Sequence, residues 1–305
     1  MTSVLLIYYS QAGEAARVAS AVADGLRSPD IDLSIEVLKP QVAYPFPWKS
    51  PARFFGVLPE CHWGPLPALV PVTFDATRRF DLVILVYQVW FLAPSLPVQA
   101  FMRSGAAHVL RDTKVVTLSV SRNMWQSASE TMKRLLGESG ARHVDNVVVT
   151  HQGPAWATFV STPRALLLGR KDAFGGVFPA AGVSDESLER VERFSSVIAA
   201  RLQTRGHRDE EPFLRGQGTV EVDQRYLIAE RLGWHVFRWW GRAILRLGHL
   251  GRPFRSLGIY LFVGFLICVI LVGIPATLVV RVLLGPFIRR RMANYTRTLQ
   301  QPSEA

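Results

Sequence analysis

Ser256–Ile288 is the stretch of this chain that most limits what it can fold into. It carries a single charge, Arg281, and Ser256–Val280 carries none. A transmembrane helix needs about 20 consecutive apolar residues. A straight helix over the whole stretch would be about 50 Å long, against about 30 Å of hydrocarbon. Gly273-Ile274-Pro275 interrupts it near the middle, and proline kinks or ends a helix. Arg238, Arg242, Arg246, Arg252 and Arg255 precede the uncharged run Ser256–Val280; Arg281, Arg289, Arg290, Arg291 and Arg297 follow it. Basic residues favour the cytoplasmic side, so matched flanks favour a kinked re-entrant hairpin over a single span. The chain reads as a globular head with a membrane segment at 256–288 and a basic tail at 289–305.

Net charge is +11, and its placement matters more than its size. Residues 1–203 hold 20 Lys/Arg against 17 Asp/Glu; residues 204–305 hold 15 Arg against 7 acids. The excess flanks the apolar stretch, where anionic lipid attracts basic side chains by about 1 kcal/mol each. A nearly neutral head without an RNA- or DNA-binding motif argues against nucleic acid as partner. Arg231, His235, Arg238, Arg242, Arg246 and His249 recur at helical spacing within an arc of about 80°. Trp- and Leu-rich residues lie between them, so 223–250 describes an amphipathic interfacial helix. The opening run Val4–Tyr9 has no basic residue before it and is too short for a signal peptide, which predicts a cytoplasmic head. Cys61, in a polar-aromatic loop, and Cys268, in the apolar stretch, build neither a disulfide framework nor a metal cluster.

Within the head, strand and helix patterns alternate. Ser3–Tyr9, Asp81–Tyr87 and Lys114–Val120 are continuous β-favouring runs, as buried parallel strands require. Asp32–Leu38 alternates, and His143–Thr150 supplies a fifth strand. Gly13–Leu26, Met124–Gly137 and Ser184–Gln203 read as helices. The expected fold is α/β: a doubly wound, five-stranded parallel sheet over residues 1–203. A linker at 204–222 would follow, and the head alone should stay in solution without its tail. Pro40–Thr73 and His151–Gly182 are long connections, the latter with a short helix at Pro163–Leu168; long ordered loops are often functional.

Ligands of open α/β sheets sit at the carboxyl ends of the strands. There the first strand ends in Ser10-Gln11-Ala12-Gly13-Glu14-Ala15 and a helix begins at once. A helix N-terminus offers unpaired N–H groups and a positive dipole end to phosphate. The turn is neither a Walker loop nor G-x-G-x-x-G. It resembles the flavodoxin phosphate loop, S-x-x-G-x-T, with Ala15 in place of the final Thr. The resemblance implies a flavodoxin-like fold and FMN. Tyr87-Gln88-Val89-Trp90-Phe91 would then stack on or border the flavin ring. Ser119, Ser121, Arg122, Asn123 and Trp125 would face its edge, with Arg122 and Asn123 as candidate catalytic groups that stabilise negative charge. Tyr44, Phe46, Trp48 and Phe55 would line a substrate pocket. A plain strand-to-helix turn, and aromatics that merely cover the sheet end, remain open beside these readings.

The ordered set Ile7–Gln11, Tyr44–Trp48, Tyr87–Ser95, Ser121–Trp125 and Ala181–Ser184 resembles the dialkylresorcinol condensing enzyme family. That family is the flavodoxin-like partner of a ketosynthase in bacterial resorcinol-lipid clusters. The resemblance implies a protein on the cytoplasmic face of the bacterial inner membrane, with membrane lipid, a lipophilic cyclic dione or resorcinol and a ketosynthase as partners. Acyl condensation itself needs a reactive Cys with a separate His; Cys268 lies in the apolar stretch, and Cys61-His62 are adjacent in sequence. Flavin-dependent aromatisation of a cyclohexanedione suits the residues better. Two other readings are an NAD(P)H:quinone reductase and a non-catalytic scaffold for the ketosynthase, the latter favoured by Ala15.

Overall fold

The computed structural model describes residues 1–204, 211–269, 271 and 298–303. In chain order the elements are β1 (Thr2–Tyr8), α1 (Glu14–Gly25), β2 (Ile31–Val37), α2 (Pro51–Phe55), α3 (Leu58–Trp63), β3 (Leu82–Trp90), β4 (Ala93–Pro94), α4 (Leu96–Met102), a 3₁₀ turn at Gly105–Leu110, β5 (Lys114–Ser121), α5 (Gln126–Ser139), β6 (Arg142–Thr150), α6 (Ala155–Leu168), α7 (Asp185–Thr204), α8 (Gln224–His249) and α9 (Arg252–Cys268).

Five strands are parallel, in the order β2-β1-β3-β5-β6. That is the flavodoxin-like doubly wound order, with its crevice where the order reverses, beside β1 and β3. The expected five strands are all present. The sixth, β4, has two residues and pairs antiparallel with the end of β3. Successive strand side chains face opposite sides of a sheet, and β1 divides accordingly. Val4 and Leu6 pack under α1 and α7 with Ile84, Val86 and Leu118. Leu5 and Ile7 pack under α4 and α5 with Leu85, Phe101 and Leu136.

Three expectations change here. Pro40–Thr73 is not an open loop: it holds α2 and α3 and is pinned by a bridge between Pro40 and Leu69. The short helix expected at Pro163–Leu168 starts earlier, at Ala155. Of the expected linker, residues 211–222 lie along β6. Buried Asp145 accepts from the amides of Phe213 (2.6 Å) and Leu214 (3.2 Å), and Val148 N–H donates to Thr219 at 3.0 Å. Phe213 and Leu214 are buried in the α1/α7 side of the core.

The amphipathic helix forms as α8, but it packs on the head. Its Ile244 joins Leu58 of α3 and Ile259 and Phe262 of α9 in a small apolar core. Part of the basic stripe is used in that packing. The guanidinium groups of Arg238 and Arg242 lie 4.3 and 4.0 Å over the Trp63 ring, whose Nε1–H donates to the Arg238 carbonyl at 2.8 Å. Among the described residues no helix is long and apolar enough to cross a membrane. Of the 256–288 segment, 270 and 272–288 lie outside the described residues, as do 289–297, 304 and 305 of the basic tail. Residues on either side of that gap touch the same body. Phe262 of α9 packs on the head, and Ser303 Oγ accepts from the Asn146 amide of β6 at 2.7 Å.

Candidate functional site

β1 delivers its chain into the 10–15 turn, where Gly13 takes a left-handed φ of 93° as the N-cap of α1. Ser10 Oγ accepts from Ala16 N–H at 3.2 Å, and Gln11 N–H points at Gln88 Oε1 at 3.4 Å. The amides of Ala12, Gly13, Glu14 and Ala15 have no acceptor among the described residues. Four consecutive free donors at a helix N-terminus are what a phosphate requires. The Ala15 side chain is fully buried in the core, so this position offers its amide alone.

The Glu14 side chain turns away under the 182–183 turn. It accepts from Val183 N–H at 2.8 Å and pairs with Lys171 at 2.7 Å and Arg17 at 3.4 Å. Burial opposes its charge, but the bonds from Lys171 and Val183 outweigh burial and hold it below the usual carboxylate range. Gly182 is required there: a Cβ would stand 2.5 Å from Glu14 Oε2, and φ is 117°. Lys171 Nζ also donates to the Ala12 carbonyl. His151 lies beside this group, its amide bonded to the Ser121 carbonyl at 2.9 Å. Burial lowers its pKa to about 4, with Arg122 and Lys171 adding to the drop and Glu14 opposing it. Among the described residues its buried Nδ1 has no partner, nor has the buried Ser121 Oγ.

The loop after β3 is a two-residue hairpin turn with φ 49° at Phe91 and 63° at Leu92. Such turns favour Asn-Gly; here two large apolar residues hold the shape, at a cost of about 1–2 kcal/mol each. Packing offsets it. Phe91 meets Phe54, Phe55 and Phe237, while Leu92 is buried and faces Gly233 of α8, leaving only 3.3 Å for a Cβ there. His62 Nε2 bonds the Phe91 carbonyl at 2.9 Å.

Several expected contacts are corrected. Tyr87, Ser119 and Trp125 are core residues: the first two are fully buried and Trp125 packs on Val220, Leu227 and Leu299. Trp90 is placed at the crevice, but its ring is met edge-on by Tyr44 (5.1 Å), Tyr9 (5.8 Å) and Trp48 (6.4 Å). Of the expected pocket residues, Trp48 is 3% exposed and Phe55 packs on Phe262, whereas Phe46 sits 5.7 Å from Lys171 Nζ. Asn123 Nδ2 donates to Thr158 Oγ1 at 3.1 Å. Half-buried Arg122 is lowered to about 10 by burial, with Tyr226 opposing. Cys61 is no solvated thiol: it lies buried in α3, and burial, then Glu60, push it well above its ordinary value.

A cavity of about 490 Å³ opens beside Asn123, between β6 and α7, and Arg190 and Tyr226 also line it. Lys171 and His151 had no sequence pattern to announce them, since each stands alone in a long connection. The motif Ala181–Ser184 was the available signal, because its Gly182-Val183 turn seats Glu14.

The fold is that of a flavodoxin-like doubly wound α/β protein, with the free amides of Ala12–Ala15 at its switch point. No family model matches the chain. No curated protein matches it. Among solved structures it is similar to a flavoprotein of Lactobacillus acidophilus NCFM in complex with FMN: 14% identity, 48% of this chain, 93% of that one, TM-score 0.40. A WrbA-like flavodoxin protein of Agrobacterium tumefaciens gives 13%, 68%, 100% and 0.36. A flavodoxin from the domain Archaea gives 12%, 66%, 99% and 0.36.

Proposed function

We propose that this chain binds FMN and serves as an oxidoreductase at a membrane surface. The observation that carries the reading is the run of four free amides at Ala12–Ala15. The unpartnered Ser121 Oγ and His151 Nδ1 add polar groups for a bound cofactor to satisfy, as buried polar atoms require. These residues fit a flavin phosphate and a polar ring edge. When bound, FMN supplies a two-electron acceptor. The protein's share is to bind the phosphate through the turn, to hold the ring edge near Ser121 and Arg122, and to exclude water with the Tyr44–Trp48–Trp90 cluster.

The substrate we infer is an alkyl-bearing cyclohexanedione, as the resemblance to the dialkylresorcinol family implies. Its aromatisation to a resorcinol removes two electrons and two protons. A ketosynthase would be the partner that forms the dione. A scaffold reading has its own support, because Trp90 is already met by three rings. FMN titration of the purified full chain in detergent separates the two: binding at micromolar FMN with quenched flavin fluorescence is expected, and its absence promotes the scaffold.

Membrane attachment is proposed through the exposed apolar side of α9, where Leu257, Tyr260, Leu261 and Ile267 are each more than half exposed. Residues before and after 272–297 both rest on the head. A single crossing would put them on opposite sides, so we favour the hairpin. A tag at Ala305 should be reachable from the cytoplasm; reachability from the periplasm alone refutes it.

A further inference from the structure

The turn at 10–15 lacks one hydroxyl, at Ala15, and Lys171 reaches it through the Ala12 carbonyl and Glu14. That lysine is delivered by a built strap. Gly169 ends α6, and Arg164 pairs with Asp172 at 2.9 Å while stacking 4.3 Å over Phe174. Phe174 and Phe178 stack at 4.6 Å, and Ala181 N–H returns to the Lys171 carbonyl at 2.8 Å. Nζ lands beside the N-cap, 3.8 Å from where a Gly13 Cβ would stand. Val183 N–H and Arg17 bond Glu14 Oε2, and Lys171 bonds Oε1, so the lysine is held at the turn by the carboxylate it pairs with. An ammonium has three donors; Ala12 and Glu14 take two, and the side chain remains 35% exposed. A second, separate polar group lies within electrostatic reach of it: the buried Nδ1 of His151, which has no partner among the described residues.

We propose that Lys171 is a phosphate-binding residue of this site, giving as a full charge the contact that Ala15 cannot make, so that the site selects a phosphorylated flavin over riboflavin. The proposal rests on the FMN reading above. Charge-assisted contacts are stronger than neutral ones, and their directional strength falls with added salt only where a charge is involved.

The test compares FMN and riboflavin titrations of the full chain in detergent for wild type, Lys171→Met, Lys171→Arg and Arg164→Gln. Lys171→Met should weaken FMN by about 10- to 100-fold and leave riboflavin unchanged. Lys171→Arg should retain most of the FMN affinity. Arg164→Gln, which loosens the strap without touching the loop, should weaken FMN by less and in the same direction. Wild-type FMN binding should fall with salt more steeply than that of Lys171→Met. Equal loss of both flavins, or no loss of either, overturns the proposal while leaving FMN binding in place. If wild type binds neither flavin, the FMN reading fails and inorganic phosphate decides. A rise in melting temperature with millimolar phosphate in wild type but not in Lys171→Met upholds the anion site, and its absence from both overturns it.

Discussion

Glu230→Ala should undo the docking of α8 on the head. The N-cap of α5 is Trp125, which has no side-chain acceptor. The capping carboxylate comes instead from α8: Glu230 is 1% exposed, and its Oε1 accepts from Ser127 N–H at 2.6 Å. Losing an N-cap costs about 0.5–2 kcal/mol, and leaving a buried amide unpaired costs about 1–3 kcal/mol. The two overlap, so a loss of about 2–3 kcal/mol is expected for Ala. Glu230→Gln keeps an acceptor and should lose about 1 kcal/mol or less. The pair also separates by pH. Burial raises the Glu230 carboxyl from 4.5 to about 7, against the amides of Ser127, Gln126 and Trp125. A raised folded pKa means that the folded chain holds this proton more tightly than the unfolded chain. That stabilisation is complete below about pH 4.5 and is lost as pH rises through about 7. At about 1.4 kcal/mol per pH unit, the span is on the order of 3 kcal/mol. Asp145, raised by burial to about 6, changes in the same sense. The informative quantity is therefore the difference between wild type and Glu230→Gln, whose slope should be shallower. Urea unfolding of the full chain in one detergent, followed by tryptophan fluorescence at pH 5 and pH 8, measures all three. An Ala variant within about 0.5 kcal/mol of wild type, or equal pH slopes for wild type and Gln, refutes the reasoning.

Truncation after residue 203 should give an aggregating or destabilised head, because it strips Phe213 and Leu214 from the core and uncovers Leu58 and Trp125. A monodisperse, two-state fragment on size exclusion and urea unfolding would contradict this. Trp48→Ala should lower stability by about 3–5 kcal/mol, since the ring is buried against Tyr44, Phe54 and Trp90. A melting temperature within a degree of wild type would return Trp48 to the role of pocket lining. Cys61 should resist a thiol reagent in the folded protein and react on unfolding, as a buried, proton-retaining thiol does; fast labelling under native conditions would show that α3 opens.

The parallel sheet was legible in the sequence because its signals are local. Continuous apolar runs such as Val83–Val86 sit in strands buried on both faces, and composition alone marks those. The 10–15 turn was legible for the same reason: strand, small residues and helix follow one another within a few positions. What the sequence did not disclose depends on distance along the chain. Glu230 caps a helix 103 residues before it, and Lys171 reaches a carbonyl 159 residues away. Neither leaves a periodic trace. Helical spacing correctly marked α8 but could not say what would cover it, since a basic stripe that stacks on Trp63 and one that faces lipid have the same period. The aromatics at 44–48 and 90 announced a crevice, yet only the tertiary packing decided that their first partners are one another. Large rings at a sheet end lower their free energy by leaving water together, and the fold brought them within reach.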